Sequence, residues 1–340
     1  MNNKFNVLQV GLGPMGKIVA DLLIKRKNID LKAVIDIDKS LKGKLLSEIL
    51  NAKDTNLKVE SNLAEILSQM DIDLVFIATS SSLEKIVPII KQALNSGCNV
   101  LSICEELSYP YKNYPTISQE LNNLALTKNL TIVGTGINPG YLMDLLPIVL
   151  TAPCQQVHSI KITRMINSAK RRESFQRKIG TGLKVEEFYE KINNNEITGH
   201  VGLSQSIQMI AAALGIPYDT LDEFPPKPII TSKEFVTSYG ETVHKGNVCG
   251  LNSKAIAKKD KKEIFVLDFV AYAGEHEEYD SVKVDGIPSL HQKIVGGVHG
   301  DIGTAAIVAN LIPIVINAKP GLLTMKDLPV PCYTENKLKN

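Results

Sequence analysis

The sequence predicts an α/β protein: an N-terminal doubly wound parallel sheet, joined to an inserted α+β domain with a mostly antiparallel sheet. Three observations carry this reading. Up to about residue 140, short apolar runs alternate with helical stretches, as parallel βαβ units do. From Lys233 to Val284 the chain is instead rich in alternating β-like segments broken by glycines and charged turns, the antiparallel signature. From Asp301 to Ala318 it returns to one strong helix. The expected divisions are 1–140, 141–300, and 301–340, the last a C-terminal helix and tail packing back on the first domain.

Taken in order, Phe5 to Val10 alternates and then runs apolar, like a buried first strand. A glycine-rich turn follows, then a helix to about Lys27 and a second strand from Leu31 to Ile35. Leu63 to Met70 reads as a short helix and Leu74 to Ala78 as a strand. Leu83 to Asn95 is a helix stopped near Gly97. Asn99 to Ile103, Ile117 to Thr127 and Leu130 to Val133 continue the alternation as strand, helix and strand. Beyond residue 150 the pattern changes. His158 to Ile166 is a long strand, Lys184 to Ile192 and Leu203 to Leu214 are helices, and Ile264 to Tyr272 and Asp280 to Val284 are strands.

The bulk properties exclude several functions. The 340 residues suit two domains and are 44% hydrophobic and 22% charged, ordinary values for a globular protein. With 38 basic and 36 acidic residues, the net charge of +2 gives no field that argues for nucleic acid or a membrane surface. No signal peptide and no membrane span is expected. The five cysteines are scattered and form no CxxC pair, so neither a disulfide framework nor a metal site is expected and a cytoplasmic location is the default.

The strongest motif is Gly11-x-Gly13-x-x-Gly16, between the first strand and helix, with Pro14 and Met15 inside it. Gly11 permits the tight turn, Gly13 lets backbone approach a pyrophosphate, and Gly16 lets helix and strand pack closely. The helix start adds free N–H groups and a positive dipole end. Asp36 stands 20 residues past Gly16, at the end of the second strand, where a carboxylate can accept hydrogen bonds from a ribose. Together these mark a Rossmann domain for NAD or NADP. Asp36 repels a 2′-phosphate while Lys39, Lys42 and Lys44 attract one, so the preference stays open.

Further candidates follow other strands. Thr79, Ser80 and Ser81 are placed to touch ribose or phosphate, or to cap a helix. Glu105 and Glu106 after the next strand are candidates for a general base, or for an acidic surface loop. Gly134-Thr135-Gly136-Ile137-Asn138-Pro139-Gly140 implies close backbone approach. Asn138 is suited to a carboxamide or a substrate, although a hinge explains the glycines equally well. The basic run Lys170 to Lys178 reads as a solvated face, or as a site where Arg171 holds a substrate carboxylate. Among scattered histidines, His299 stands in a flexible context just before a helix.

Four segments carry a resemblance. They are Cys104 to Ser108, Gly134 to Gly140 with Met143-Asp144, Gly297 to Asp301, and Pro320 to Pro329. In this order they resemble the 2,4-diaminopentanoate dehydrogenase and native amine dehydrogenase group, which is distantly similar to dihydrodipicolinate reductase. The likeness spans nearly the whole chain. It implies reversible oxidative deamination of a small-molecule amine with NAD or NADP, releasing ammonia, in a homodimer. It places the catalytic glutamate at Glu105 or Glu106. In the mechanism expected from the residues, Thr135 and Asn138 orient nicotinamide or substrate, and Arg171 and His299 border the pocket. Two alternatives stand beside it: reduction of a cyclic imine, and a dinucleotide sensor that turns nothing over.

Overall fold

The computed structural model describes residues 4–50, 55–197, 199–273 and 277–334; the expected tail beyond 334 lies outside the described residues. The chain forms two compact units, Met1–Tyr141 with His299–Asn340, and Leu142–Val298.

The first unit runs β1 (Phe5–Val10), α1 (Pro14–Lys25), β2 (Ile29–Ile35), α2 (Leu46–Leu50), β3 (Val59–Glu60), α3 (Leu63–Gln69) and β4 (Leu74–Ile77). It continues with α4 (Leu83–Asn95), β5 (Asn99–Ser102), α5 (Pro115–Lys128) and β6 (Thr131–Gly134). The second unit holds α6 (Leu145–Leu150), β7 (Gln156–Asn167), α7 (Glu173–Lys178), α8 (Val185–Asn193), α9 (Leu203–Leu214) and β8 (Thr220–Ile230). A small ribbon of β9 (Phe235–Val236) and β10 (Thr242–Val243) follows, then β11 (Val248–Lys259), β12 (Lys262–Tyr272), β13 (Tyr279–Ile287) and β14 (Leu290–Val295). The chain re-enters the first unit as α10 (Gly300–Ile316) and β15 (Gly321–Leu323).

In the first unit seven strands pair in the order β15-β6-β5-β4-β1-β2-β3, every pair parallel. Its central strands are apolar along their length because helices cover both faces; Leu74 to Ile77 are fully buried. On one face Val10, Ile35, Ile77, Ile86, Ile90, Val100 and Ile132 form a continuous core. On the other, α10 packs on α1, β5 and β6.

Three of the elements that the sequence reading did not give show why they were hidden. Gly321–Leu323 is too short to signal a strand by itself. It becomes one by pairing with Thr131–Val133, while Tyr111 donates to the Leu322 carbonyl at 2.5 Å and Asn122 accepts the Leu322 N–H. Leu145–Leu150 has no polar face to show a helical period; Asp144 starts it by accepting the Leu145 N–H at 2.7 Å. Thr220–Ile230 carries Pro225, Pro226 and Pro228, yet forms a strand because it lies at the edge of its sheet.

The second sheet has the order β14-β13-β7-β12-β11-β8, antiparallel except for the β7–β12 pair. Across it one row reads Asp280, Arg164, Phe269, Ser253. Arg164 is 2% exposed and donates to Asp280 at 2.8 Å and to the Val298 carbonyl at 2.8 Å, while Asp280 accepts the Val298 N–H. Burial dominates both partners: it pushes the Asp280 carboxyl up and the Arg164 guanidinium down, against their mutual attraction. Removing one member therefore strands a buried charge. Arg164→Ala is expected to lower stability by about 3–5 kcal/mol in urea unfolding, and a loss below about 1 kcal/mol would contradict this account.

Candidate functional site

All seven strands of the first sheet point the same way, so the loops leaving their carboxyl ends share one edge. Those loops are Gly11–Gly16, Asp36–Asp38, Thr79–Ser82, Cys104–Leu107 and Thr135–Asn138. Strand order reverses between β1, flanked by β2, and β4, which puts the glycine loop at the switch point of the sheet.

Gly11 has φ +105°, and a Cβ there would meet the Ala78 carbonyl oxygen at 2.5 Å and the Thr79 methyl at 3.0 Å. A Cβ on Gly16 would collide with the Gly11 carbonyl. Gly13 is the opposite case: it is exposed and a Cβ would meet nothing within 4 Å. Two glycines are thus closed by the protein's own backbone and the third faces open space. Gly13 caps α1 with no side-chain hydrogen bond, Pro14 follows in the first turn, Met15 is half-buried, and no acidic residue sits in that turn. The positive end of the helix is left for an outside anion. This cradle fits a dinucleotide's pyrophosphate.

Asp36 is half-buried at the tip of β2, its carboxylate accepting the Leu12 N–H at 2.6 Å and the Asp38 N–H at 2.9 Å. Beneath the loop lies Gln9, fully buried, donating from Nε2 to the carbonyls of Gly11 (2.9 Å) and Gly16 (2.7 Å). A polar residue inside an apolar strand was the available signal for Gln9, and the motif pattern passes over it.

Across β4, Thr79 is exposed beside Gly11, and the Ser80 hydroxyl accepts the Ser82 N–H at 3.1 Å. The Ser81 carbonyl accepts from the Cys104 thiol at 3.0 Å and from the Glu106 N–H. Burial pushes that thiol up to about 12, so it stays protonated and unreactive.

The two neighbouring glutamates are treated differently. The Glu106 carboxylate accepts the Leu83 N–H at 2.7 Å, capping α4, where the N-cap residue Ser82 makes no side-chain cap bond. Tyr114 also bonds to Glu106; burial first, and this bond second, push the Tyr114 hydroxyl up to about 12. Glu105 is half-buried, its carbonyl accepts from Ser108, and among the described residues no donor reaches its carboxylate.

The Thr135–Asn138 loop packs onto this turn. A Cβ on Gly134 would overlap the Leu107 carbonyl, and the Thr135 N–H donates to the Ser102 carbonyl at 2.8 Å. Thr135 is 2% exposed and its hydroxyl donates to the Met325 sulfur at 3.2 Å, an inward position rather than a substrate-facing one. Asn138 is half-buried. The Ile137 N–H donates to Thr304 in the first turn of α10, so that helix begins beside the same loop. His299 is the exposed N-cap of α10, accepting the Ile302 N–H at 3.5 Å.

In the second unit, Arg171 is 7% exposed with its guanidinium 5.4 Å above the Phe175 ring, so it does not belong to a solvated face. Arg177 does: it is exposed and pairs with Glu173 at 2.7 Å. His200 stacks on Phe269 at 4.2 Å; burial, then Lys178 and Arg164, push it down to about 3. A hollow of about 1110 Å³ in this unit is lined mainly by apolar residues such as Met165, Ile229, Phe235, Val270 and Tyr272, and by none of the sequence candidates. Among the described residues no His, Cys, Asp and Glu group suited to a metal occurs, and no helix is long and apolar enough to cross a membrane.

Comparison with known proteins gives consistent matches. Residues 141–340 match the model of the 2,4-diaminopentanoate dehydrogenase C-terminal domain, and residues 5–106 that of an oxidoreductase family with an NAD-binding Rossmann fold. The chain is 33% identical over 334 residues to 2,4-diaminopentanoate dehydrogenase of Acetoanaerobium sticklandii, covering 96% of this chain and 94% of that one. Among solved structures, an amine dehydrogenase from Mycobacterium smegmatis superposes with TM-score 0.85 at 22% identity, over 98% of both chains. A probable dehydrogenase from Thermotoga maritima gives 0.57 at 12% identity, over 95% of this chain and 92% of that one. At these identities the structures show a shared fold.

His200 makes the fold acid-sensitive. Its unfolded value is about 6.5, above its folded one, so below that pH the unfolded chain binds a proton that the folded chain refuses. Its contribution is intact above about pH 6.5 and falls away as pH drops toward 3. His200→Leu is expected to flatten the loss of stability between pH 7 and 4, measured by urea unfolding. Equal pH slopes in both proteins would count against the assignment.

Proposed function

Since the chain belongs to the 2,4-diaminopentanoate dehydrogenase family, we propose that it oxidatively deaminates 2,4-diaminopentanoate or a related amine, reversibly, to a ketone and ammonia. It is an NAD(P)-dependent oxidoreductase. The observation that supports the chemistry best is the division of labour between Glu105 and Glu106. One carboxylate is tied into the fold and its neighbour is left without a donor on the same strand edge as the glycine cradle.

The cradle of Gly11, Gly13 and Gly16, with Pro14 and Met15 in the helix start, holds the pyrophosphate; Asp36 accepts from the adenosine ribose; Thr79, Ser80 and Ser81 border the crevice. When bound, the dinucleotide supplies a nicotinamide that takes a hydride from the amine-bearing carbon. Glu105 takes the proton from the substrate ammonium and passes it to solvent, leaving a free amine whose lone pair assists loss of the hydride and a carboxylate that is ionised again. As the iminium forms, the carboxylate stabilises its positive charge, then removes a proton from the water that attacks the carbon. Collapse of the carbinolamine releases ammonia and the ketone. The balance is amine, oxidised dinucleotide and water giving ketone, ammonia, reduced dinucleotide and a proton. Glu106 keeps the turn in place, Thr135 holds its loop from within, and Asn138 orients the carboxamide or substrate. His299 serves substrate recognition.

Asp36 sets a preference for NAD. Both of its oxygens are held by backbone N–H groups, which fixes a negative charge where a 2′-phosphate would sit. Asp38 adds a second one, its carboxyl held below the usual range mainly by hydrogen bonds from Ser40. The working form is a homodimer in the cytoplasm.

Reduction of NAD⁺ or NADP⁺ with 2,4-diaminopentanoate and a panel of related amines, read by nicotinamide absorbance and ammonia release, tests the reaction. Turnover is expected with the diamine, and cofactor binding without any turnover would favour a sensor. Glu105→Gln should lower kcat roughly 10²-fold or more, while Glu106→Gln should chiefly lower the melting temperature; the reverse outcome would exchange their roles. Asp36→Ser is expected to shift the NAD to NADP preference by about tenfold, the scale of a 1.4 kcal/mol change, and an unchanged ratio of the two kcat/KM values would refute that role.

A further inference from the structure

The geometry points to Gln9 as a positioning residue for the dinucleotide, acting through the peptide between Gly11 and Leu12 to hold Asp36 and the glycine loop in their binding arrangement. The inference rests on the reading of that loop and Asp36 as the dinucleotide site.

Gln9 is anomalous where it stands. β1 is otherwise a core strand: Phe5, Val7 and Leu8 are fully buried, and so is Gln9. It pairs with Val34 on one side and Phe76 on the other. A buried amide in such a strand is unfavourable unless its polar atoms find partners. Its Nε2 takes two, the carbonyls of the first and third glycines of the motif, while its Oε1 is left without a partner among the described residues, so the two donated bonds are what hold the amide there. The side chain thus ties the start of the loop to the first turn of α1 and fixes the two ends of the segment that must curve around a phosphate.

The second consequence comes from peptide planarity. In a trans peptide the carbonyl and N–H point in opposite directions. Gln9 fixes the Gly11 carbonyl inward, so the N–H of the same peptide, that of Leu12, points the other way, and it donates to Asp36 at 2.6 Å. Gln9, the 11–12 peptide and the Asp36 carboxylate form one chain of hydrogen bonds, each polarising the next. Gly16 belongs to the same arrangement: a Cβ there would lie 3.2 Å from the Gln9 Nε2 as well as on the Gly11 carbonyl. A hydrophobic residue at position 9 would fill the space equally well, but it would leave the carbonyls of Gly11 and Gly16 without this donor and the loop peptide free to rotate.

The test compares the wild type with Gln9→Met, which keeps the length and removes the donors, and with Gln9→Glu, which keeps the shape and cannot donate when ionised. NAD⁺ binding is measured by titration calorimetry, and KM for both substrates, kcat and the melting temperature are recorded. The expected result is a roughly tenfold or larger rise in Kd and KM for NAD⁺, the scale of two buried hydrogen bonds. The amine KM and the kcat at saturating NAD⁺ should stay within about twofold. In a double-mutant cycle, Gln9→Met should weaken binding less when Asp36→Ala is already present, because the relay has lost its far end. Unchanged NAD⁺ binding in both variants, additivity in the cycle, or failure of both variants to fold would overturn the inference and leave Gln9 a structural residue. If the wild type itself binds no NAD⁺, the reading of the site fails, and that outcome is separate from any behaviour of Gln9.

Discussion

Parallel pairing of the first sheet is the constraint on which the rest of the molecule depends. Since β1, β2, β4, β5, β6 and β15 run in one direction, every loop leaving a carboxyl end arrives at the same edge. Residues far apart in sequence, such as Asp36, Glu105, Asn138 and Thr324, begin there without any need for a long arm. The parallel arrangement also requires helical crossovers, and their N-termini start at that edge with unpaired N–H groups. One such end, at Gly13, is left open, while another, at Leu83, is closed by Glu106 from a different loop. The same physics therefore yields an open helix end in one place and a structural clamp in the other.

That clamp gives the paired carboxylates their meaning. Two glutamates in a row would repel each other as an idle surface pair. Here the α4 N-terminus and Tyr114 engage Glu106, fixing the turn in which Glu105 stands. Gly134 brings the next loop into backbone contact with the same turn, and Ile137 joins that loop to the start of α10. Backbone packing, more than side-chain reach, brings these loops together.

The second unit follows a different rule. Its sheet carries a charged and aromatic row: buried Arg164 paired with Asp280, and half-buried His200 stacked on Phe269, its backbone N–H donating to the Ser253 hydroxyl at 3.3 Å. Burial works against the charged form of each titratable group in that row. Such groups hold a fold in one arrangement more than they stabilise it.

The order of the elements, the tight glycine loop between β1 and α1, the carboxylate at the tip of β2 and the antiparallel character of the second sheet were legible in the sequence. They are local: each follows from apolar periodicity, from a glycine that must take positive φ, or from a fixed spacing along one βαβ unit. What stayed hidden depends on partners distant in the chain. No period marks Gly321–Leu323 as a strand until Thr131–Val133 accepts it as a neighbour. Nothing in the sequence separates Glu105 from Glu106 until the end of α4 arrives beside one of them. Thr135 could face a substrate or the interior, and the Met325 sulfur decides for the interior. The three glycines at and just past the end of β6 announce close approach without saying to what; for Gly134 it is the Leu107 backbone. Residue types and spacing alone determined the fold class and the kind of cofactor, because those rest on local geometry. Only the tertiary structure decided which neighbouring side chain is held and which is left without a donor, because that turns on which distant backbone group reaches it.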